Sequence, residues 1–208
     1  MESPKIVIEH LEPKLSTWLL FEYENASKLL KKNILFTNVK SARARKKLRK
    51  FGRVDRRSVL DIFPREKLLI LNPRAKKALA REDLEGNVIA VVGGILGEHP
   101  PRGRTKTLLT QRAPAAKTRN IGNWQFAIDG AAYVTKLIAN GRKLKSISIK
   151  RGLILKAKLG PSGVHEVLLP YAYPIVDGRP LISKKLLYYM MNVKNPEITW
   201  CDRPSSDD

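Results

Sequence analysis

The stretch Val88-Ile-Ala-Val-Val-Gly-Gly-Ile-Leu-Gly-Glu-His-Pro-Pro-Arg-Gly-Arg-Thr105 constrains the fold more than any other part of this sequence. Its first five residues are a continuous apolar run, which predicts a strand buried on both faces. Three glycines among the next five residues let the backbone turn sharply or approach a ligand closely. Because open α/β sheets bind ligands outside the carboxyl ends of their strands, the stretch predicts a ligand-binding loop. An ordinary turn is the alternative, since Gly and His-Pro-Pro also end regular structure.

The composition predicts a polyanionic partner. Forty Lys and Arg stand against nineteen Asp and Glu in 208 residues, a net charge of +21. Nucleic acid or the ribosome is the leading candidate. No window has the roughly eighteen apolar residues of a membrane span, and the charged N-terminus does not resemble a signal peptide. One cysteine and three scattered histidines argue against a disulfide and a metal cluster, so a cytoplasmic protein without metal is expected.

The order of the apolar runs predicts a parallel α/β sheet in one domain, residues 1–208. Strands are predicted at Lys5–Ile8 and Ile34–Thr37, with a helix to about Lys31 between them, which is a βαβ unit. A further strand is predicted at Leu68–Leu71. The remaining predicted elements are a helical piece at Arg74–Arg81, helices at Ser41–Phe51 and Ala131–Ala139, strands at Ser146–Ile149 and Leu153–Lys158, and a helix at Ser183–Met191.

A basic segment occupies about residues 40–57, where ten of eighteen residues are Lys or Arg. Asp55 is its only acid, and unbalanced positive charges repel one another on an undirected surface. We therefore predict contact with a phosphate backbone, although a solvated helix face is the simpler alternative. The predicted substrate-docking residues of this segment are Arg43, Arg45, Lys46, Lys47, Arg49 and Lys50.

Two sequence motifs, supported by a third motif at the N-terminus, resemble those of a known family. Val-Val-Gly-Gly-Ile-Leu-Gly-Glu98, followed by Asn120-Ile-Gly-Asn-Trp-Gln-Phe-Ala127, resembles the knotted SPOUT methyltransferases. Gly-Gly-Ile-Leu-Gly-Glu-His-Pro-Pro-Arg-x-Arg-Thr105 is similar to one SPOUT family, first labelled predicted RNA methyltransferases, whose characterised yeast member methylates an arginine of a small-subunit ribosomal protein. The N-terminal motif that supports it independently consists of Ile8, Glu9, His10, Glu12, Ser16, Trp18, Glu22 and Tyr23.

This resemblance implies a SPOUT fold, an α/β structure with a mostly parallel sheet, helices on both faces and a C-terminal trefoil knot. It places the knot and a site for S-adenosylmethionine at about residues 88–190. The cofactor-binding residues that it implies, most of them acting through the backbone, are Gly93, Gly94, Leu96, Gly97, Ile121, Gly122, Trp124 and Phe126. Trp124 and Phe126 could instead be ordinary core residues.

Methyl transfer to a guanidine nitrogen requires that the nitrogen lose a proton, because arginine is protonated in water. A carboxylate beside the acceptor would orient it. The candidates are Glu98, then Asp129 and Glu9, with His99 as a further proton acceptor. Each has a structural alternative: Glu98 could pair with an arginine, Asp129 could cap a helix, and His99 could anchor its loop. Arg102 and Arg104 are predicted to hold the substrate, either a phosphate or acidic protein groups.

Three functions remain open on the sequence. The first is a protein arginine methyltransferase that acts on a ribosomal protein, which the resemblance favours. The second is an RNA methyltransferase of rRNA or tRNA, which the net charge favours. The third is a non-catalytic ribosome- or RNA-binding factor, against which the glycine loops argue. Monomer and homodimer are both compatible with the sequence.

Overall fold

Six short strands pair side by side, all parallel, to form the main sheet. They belong to a computed structural model that describes residues 5–97, 100, 102–159, 163–194 and 196–200. The strands are β1 (Lys5–His10), β2 (Ile34–Thr37), β3 (Arg53–Val54), β4 (Leu68–Leu71), β5 (Ile89–Gly94) and β6 (Lys117–Arg119), in the order β3-β2-β1-β5-β4-β6. The prediction of a mostly parallel sheet is confirmed.

Helices cover both faces of this sheet, as the family resemblance implies. The helices are α1 (Thr17–Leu29), α2 (Ala42–Leu48), α3 (Val59–Ile62), α4 (Arg104–Leu108), α5 (Ile128–Ala139) and α6 (Lys184–Met191). Because strand side chains alternate, Ile6 and Ile8 pack with α1, α2 and α5, while Val7 packs with α3 and Leu109 on the other face. Strand β1, helix α1 and strand β2 form the predicted βαβ unit.

Helix α1 begins where its sequence supplies a cap. The Ser16 hydroxyl accepts a hydrogen bond from the backbone N–H of Leu19 at 3.2 Å, which satisfies one of the N–H groups left free at a helix start. Leu19 and Tyr23 are fully buried against the sheet. The Tyr23 ring stacks on Phe36 of β2, with ring centroids 5.2 Å apart. This packing fixes the helix across the first two strands.

A second, antiparallel sheet follows the main one. It is formed by β7 (Ile149–Leu159), β8 (Gly163–Val176), β9 (Arg179–Pro180) and β10 (Glu197–Trp200), in the order β10-β7-β8-β9. The prediction of two separate strands at Ser146–Ile149 and Leu153–Lys158 is wrong. One strand covers most of this range, and a register shift between Arg151 and Leu153, with Gly152 at φ +70°, breaks the alternation as a β-bulge does.

Two predicted helices also differ from the structure. Residues 74–81 are not helical, because their backbone groups bond to the segment around Asn120 instead of to one another: Asn120 N–H donates to Lys77 O, and Leu79 N–H donates to Asn120 O. Helix α2 ends at Leu48 rather than Phe51, and the chain turns there into β3. Both differences arise from partners distant in sequence.

The carboxyl ends of β1, β5, β4 and β6 lie along one edge of the main sheet. The register pairs Glu9 with Gly93 and His10 with Gly94, so β1 and β5 end level with each other. The sheet also reverses its strand order between β1 and β5, which is where open parallel sheets bind ligands. Within the described ranges no helix has the length and apolar character to cross a membrane, and the longest, α1, has 13 residues.

We predict that Gly94→Ala destabilises the fold. A Cβ at Gly94 would lie 2.1 Å from the Tyr23 hydroxyl oxygen and 2.9 Å from the Glu9 carbonyl oxygen, so α1 would have to move. Overpacking of this kind costs roughly 1–3 kcal/mol, measurable by chemical denaturation. The double variant Gly94→Ala/Tyr23→Phe removes the closest contact and should recover part of the loss. An unchanged free energy of unfolding for Gly94→Ala would contradict this packing.

Candidate functional site

A cavity of about 680 Å³ lies at the carboxyl edge of the main sheet. Three segments line it: residues 71–74 after β4, the loop after β5, and residues 121–126 before α5. The large volume and mixed polar and apolar walls are those of a small-molecule site. The lining includes these predicted cofactor-binding residues: Gly93, Leu96, Gly97, Ile121, Gly122, Trp124 and Phe126.

Gly94 is the predicted cofactor-binding residue that does not line the cavity. It is the last residue of β5 and faces Tyr23 of α1, on the side of the strand that packs into the core. Gly94 therefore has a packing contact in the structure, and its role in cofactor binding stays a prediction. Two adjacent glycines have different functions here because successive residues of a strand point to opposite faces.

The loop after β5 is held in place by Glu12, which follows β1. The Glu12 carboxylate accepts a hydrogen bond from the backbone N–H of Leu96 at 2.9 Å and forms an ion pair with Arg104 at 2.9 Å. The Arg104 guanidinium also donates to the carbonyl of Leu96. Both backbone groups of Leu96 are therefore bound to this side-chain pair. The pair joins the end of β1, the cavity loop and the start of α4.

Gly97 is required in this loop because the surrounding residues leave no room for a side chain. The Tyr171 hydroxyl of β8 donates to the Gly97 carbonyl at 2.8 Å. A Cβ at Gly97 would lie 2.4 Å from the Tyr171 ring and 2.9 Å from Gln125 Oε1. The loop thus passes close against the second sheet, and a side chain at this position would displace it. Gly122, at φ +112°, is required for a different reason, its backbone conformation.

Asn72 and Asn120 join the other two walls. The backbone N–H of Asn72 donates to Arg119 O at 2.9 Å, and the Asn120 side chain donates to Ala75 O at 2.8 Å. Asn120 Oδ1 also accepts from the Gly122 N–H at 3.0 Å. Because these bonds cross between β4 and β6, the two loops form one continuous wall beneath the cavity.

The predicted catalytic residues divide into two groups. Glu98 and His99 lie outside the described residues. Glu9 and Asp129 do not line the cavity. Glu9 is 1 % exposed, and its carboxylate accepts hydrogen bonds from Thr37, from the Ser58 hydroxyl at 2.6 Å and from the Val59 N–H at 2.9 Å. These bonds join β1 to β2 and to the start of α3, and the catalytic role of Glu9 stays a prediction.

Asp129 lies at the start of α5 and is also buried. Its carboxylate accepts from the Asn25 amide at 2.7 Å and from the Gly130 N–H at 2.9 Å. Helix α5 begins at Ile128, so Asp129 lies within its first turn and not at the N-cap, and the catalytic role of Asp129 stays a prediction. Nearby, Glu22 of α1 accepts from the Trp18 indole N–H at 2.6 Å and from the Ile128 N–H at 3.0 Å. Asn25, Glu22 and Asp129 together join α1 to α5.

Burial raises the pKa of both neighbouring acids, Glu22 and Asp129. Burial, together with the charge of Asp129, raises the pKa of Glu22 to about 8. Burial raises the pKa of Asp129 to about 6, against hydrogen bonds that favour its charged form. Two carboxylates without an intervening cation cannot both ionise easily. Among the described residues, no Lys or Arg forms an ion pair with either.

The predicted substrate-binding residues lie in two places. Arg102 and Arg104 line the cavity. Arg104 is also bound to Glu12 and to the Leu96 carbonyl, and the substrate-binding role of both arginines stays a prediction. The basic segment lies along α2, beyond β2 and β3. Arg45 there donates to the carbonyls of Val39 and Lys40, while exposed side chains belong to Arg43, Lys46, Lys47, Arg49 and Lys50.

Sequence reasoning missed several residues that build the site. Glu12 and Glu22 both belong to the N-terminal motif, so the sequence pointed to these residues but not to the groups that they contact. Asn120 begins the second motif, but its bond to Ala75 was not predicted. Tyr171 had no local signal, because its partner lies in a loop distant along the chain. No group of His, Cys, Asp and Glu suited to a metal occurs in the described part of the chain.

The parallel sheet with a cavity at its carboxyl edge defines the class as a SPOUT methyltransferase fold. The crystal structure of dual-specific Trm10 from Thermococcus kodakaraensis shares this fold, with a TM-score of 0.54. The sequence identity is 13%, and the match covers 68% of this chain and 95% of that chain. Residues 5–195 match the family described as "Protein arginine N-methyltransferase SFM1-like". The chain belongs to this family, and the family resemblance predicted from the sequence is confirmed.

Individual relatives agree with the assignment. The protein arginine N-methyltransferase SFM1 of Saccharomyces cerevisiae is 33% identical over 156 residues, which are 66% of this chain and 72% of the relative. The crystal structure of yeast SFM1 complexed with SAM has a TM-score of 0.77 at 25% identity, covering 92% of each chain. The complex with SAH has a TM-score of 0.75, covering 89% of this chain and 94% of that chain.

We predict that stability falls as the pH rises from about 5 to about 8. Both Glu22 and Asp129 have pKa values raised in the folded state, so the folded state binds more protons than the unfolded state in this window. Asp129→Asn removes one acid and the charge that raises the pKa of Glu22, while Asn25 can reverse its amide to preserve the hydrogen bond. The free energy of unfolding of Asp129→Asn relative to wild type should therefore improve by roughly 1–3 kcal/mol between pH 5 and pH 8.

Chemical denaturation at several pH values measures this difference. Asp55→Asn is the matched control, because Arg57 lowers the pKa of Asp55 to about 2 and its titration ends below the window. Its stability relative to wild type should not change between pH 5 and pH 8. Parallel pH profiles for wild type and Asp129→Asn would contradict the coupling of the two acids.

Proposed function

We propose that the protein is an S-adenosylmethionine-dependent methyltransferase whose acceptor is an arginine of a ribosomal protein. The observation that carries the proposal is the cavity between the glycine loops after β5 and before α5, in a chain of the SFM1-like family. Yeast SFM1, whose fold this chain shares, has been crystallised with SAM, SAH and MTA. The cofactor implied by the motifs agrees with those complexes.

The residues of the cavity fit this cofactor. About 680 Å³ is enough for a nucleoside with an amino-acid side chain. Leu71, Ile95 and Ile121 supply apolar walls for a purine ring. The absence of a side chain at Gly97 leaves its backbone accessible between Tyr171 and Gln125, and Trp124, 37 % exposed, offers a ring face at the rim. We propose that Gly93, Leu96 and Gly97, with the 121–126 segment, hold the cofactor.

The bound cofactor would supply an activated methyl group. The chain itself must align the acceptor nitrogen with that group and accept the proton that the nitrogen loses. Glu12 and Arg104 keep the loop after β5 in one conformation, which fixes the walls of the cavity before any ligand binds. Glu98 directly follows Gly97 in sequence, and we keep it, with His99, as the proposed proton acceptor. Arg102 lines the cavity and is proposed to contact the substrate.

The basic segment supports a large acceptor. Helix α2 follows β2, and β1 separates β2 from β5, so with strands about 4.8 Å apart this segment lies on the order of 10–20 Å from the cavity. A free amino acid could not reach both regions, whereas a ribosomal protein on its RNA could. We propose that the segment docks on RNA phosphates next to the methylated protein. A ribosomal acceptor is consistent with the predicted cytoplasmic location.

The second candidate is an RNA methyltransferase of rRNA or tRNA. The net charge of +21 favours it, because both the basic segment and the cavity rim, through Arg74 and Arg102, would face phosphates. A non-catalytic binding factor is disfavoured, since phosphate binding alone needs no cavity with apolar walls. Monomer and homodimer are both compatible with the proposed function.

Two structural predictions belong to the same proposal. We propose that residues 1–208 act as one SPOUT domain, with the knot and cofactor site within about residues 88–190. The C-terminal trefoil knot is proposed from the family resemblance. Force-induced unfolding tests it, because a knotted chain extends to less than its full contour length.

We predict that Glu12→Ala weakens binding of S-adenosylhomocysteine. The substitution removes the acceptor of the Leu96 N–H and the partner of Arg104, so the loop loses the contacts that fix its conformation. We expect the Kd to rise about tenfold or more by calorimetry, since a mobile loop must be ordered on binding. Glu85→Ala, an exposed acid at the end of a turn, is the control. Equal affinity in wild type and Glu12→Ala would contradict the role given to Glu12.

We also predict that neutralising the basic segment lowers the salt dependence of ribosome binding. In a variant with Arg43, Lys46, Lys47 and Lys50 changed to Gln, the slope of log K against log salt should fall by roughly one for each lost phosphate contact. S-adenosylhomocysteine binding should stay unchanged, because these side chains are remote from the cavity. A control variant changes four other exposed lysines to Gln: Lys150 and Lys158 of β7, Lys184 of α6, and Lys194. Equal slopes for both variants would exclude the segment from docking.

The experiment that tests the proposed function uses tritiated S-adenosylmethionine. The protein is incubated with ribosomal subunits, free rRNA, tRNA and stripped ribosomal proteins, and the products are separated with nuclease and protease. Label that survives nuclease and yields methylarginine on hydrolysis supports the proposal. Label released as a modified nucleoside supports the RNA methyltransferase instead. No label in any fraction, with no S-adenosylhomocysteine binding, leaves only the binding factor.

A further inference from the structure

A second, much smaller cavity of about 10 Å³ lies behind the loop that follows β5. It shares the lining residues Ile95, Leu96, Gly97 and Phe126 with the large cavity, so the two spaces adjoin. Its remaining lining residues are Trp18, Glu22, Ala127 and Tyr171. In its present form it is about large enough for one water molecule. Trp18 and Tyr171 are only half-buried, so the space is near the surface.

The walls of this small cavity suit a flat cation. Trp18, Phe126 and Tyr171 place three aromatic rings around it, and aromatic faces attract cations through their electron-rich π systems. Glu22 adds a carboxyl group whose side chain is 3 % exposed. A guanidinium group is planar, stacks on aromatic rings and pairs with a carboxylate through two parallel hydrogen bonds. The lysine ammonium group, a point charge on a flexible stem, cannot stack on the aromatic rings in this way.

The charge of Glu22 has no cationic partner within the described residues. Its oxygens accept only from the Trp18 indole N–H and the Ile128 N–H, which are both neutral donors. Asp129 lies close by with neutral partners of its own, Asn25 and the Gly130 N–H. Two buried acids with no counter-charge, one of them on the wall of a cavity, are an arrangement that a bound cation would stabilise.

We infer that the small cavity is the subsite for the guanidinium group of the acceptor arginine, with Glu22 as its buried counter-charge. This inference rests on the proposed function, since it names where the acceptor side chain of that reaction binds. The guanidinium would lie beside Leu96, Gly97 and Phe126, which line both cavities, so it would border the cofactor cavity. Methyl transfer requires that its nitrogen meet the methyl group directly. The space must widen on binding, and the half-buried Trp18 and Tyr171 are the residues that can move outward.

The raised pKa of Glu22 gives the subsite a measurable property. Near pH 7 the burial of Glu22 and the charge of Asp129 favour its protonated form. A bound guanidinium favours the ionised form, so arginine binding should release a proton. The other titratable groups that face Glu22 are Asp129 of α5, Tyr23 beside it on α1 and Tyr173 of β8; the pKa of each tyrosine is raised well above its usual value, so neither titrates near pH 7.

The test uses the whole protein saturated with S-adenosylhomocysteine and titrated with Nα-acetyl-arginine amide. Binding is followed by the Trp18 indole N–H resonance and by calorimetry in buffers of different ionisation enthalpy. We expect saturable binding with proton release, and no response to the citrulline analogue, which has the same shape without the charge. Glu22→Gln should weaken arginine binding about 30-fold or more while S-adenosylhomocysteine binds as in wild type.

Two further variants keep the test decisive. Glu24→Gln makes the same chemical change on α1, but Glu24 pairs with Lys28 and Lys185 outside both cavities, so arginine binding should be unchanged. Ala127→Val adds bulk to the small cavity without changing charge. It should block the arginine amide even if Glu22→Gln fails to fold, with thermal unfolding confirming that Ala127→Val is folded.

Two outcomes would overturn the inference. If wild type shows no arginine-specific response, the subsite is wrong, and the tritium experiment still decides the proposed function independently. If Glu22→Gln loses S-adenosylhomocysteine affinity by as large a factor as arginine affinity, Glu22 binds the ammonium group of the cofactor instead of the acceptor. Methylarginine formation in the tritium experiment together with either outcome would leave the proposed function standing without this subsite.

Discussion

The pairing of Glu12 with Arg104 and with the backbone of Leu96 is the contact that holds the site together. A glycine-rich loop at the end of a strand has many accessible conformations, and ordering each residue costs about 1–2 kcal/mol of conformational entropy. The Glu12 carboxylate binds the N–H of Leu96, and the guanidinium that it pairs with binds the carbonyl. One side-chain pair thereby satisfies both backbone groups at the middle of the loop. The cavity walls are consequently formed before any ligand arrives, which is the condition for tight binding.

The same contact explains why the N-terminal motif belongs to the site although most of it is remote from the cavity. Glu9 ties β1 to β2 and α3, Glu22 and Asn25 join α1 to α5, and Tyr23 packs against Gly94. Each contact fixes one element beside the carboxyl ends of β1 and β5. Acids in such a motif suggest catalysis when they are considered from sequence alone. In the structure the carboxylates of Glu9 in this motif and of Asp129 in α5 are buried, hydrogen-bonded and outside the lining of the cavity.

The exposed positive charges of α2 and the cavity lie at different parts of the main sheet. The exposed cations of α2 lie past β2 and β3, whereas the cavity lies over β5, β4 and β6. Helix α2 packs into the core through Ala44 and Leu48, which turns its lysines and arginines outward. A cavity for a small molecule, together with a separate basic surface, suits an enzyme whose acceptor is part of a large anionic particle. In the proposed function the surface would supply affinity, and the cavity would supply the chemistry.

Local sequence signals were sufficient for part of the fold and for the family. The apolar runs predicted the buried strands β2 and β4 with their observed bounds, and the motif at residues 88–105 with that at 120–127 identified the family and most of the cavity lining. Contacts between distant segments are visible only in the folded chain. The helix predicted at 74–81 does not form, because this segment bonds to the 119–120 backbone. Gly94 faces Tyr23, whereas Gly93 faces the cavity. A hydrogen bond or a steric contact across the sheet depends on register and packing, and no window of local sequence contains either.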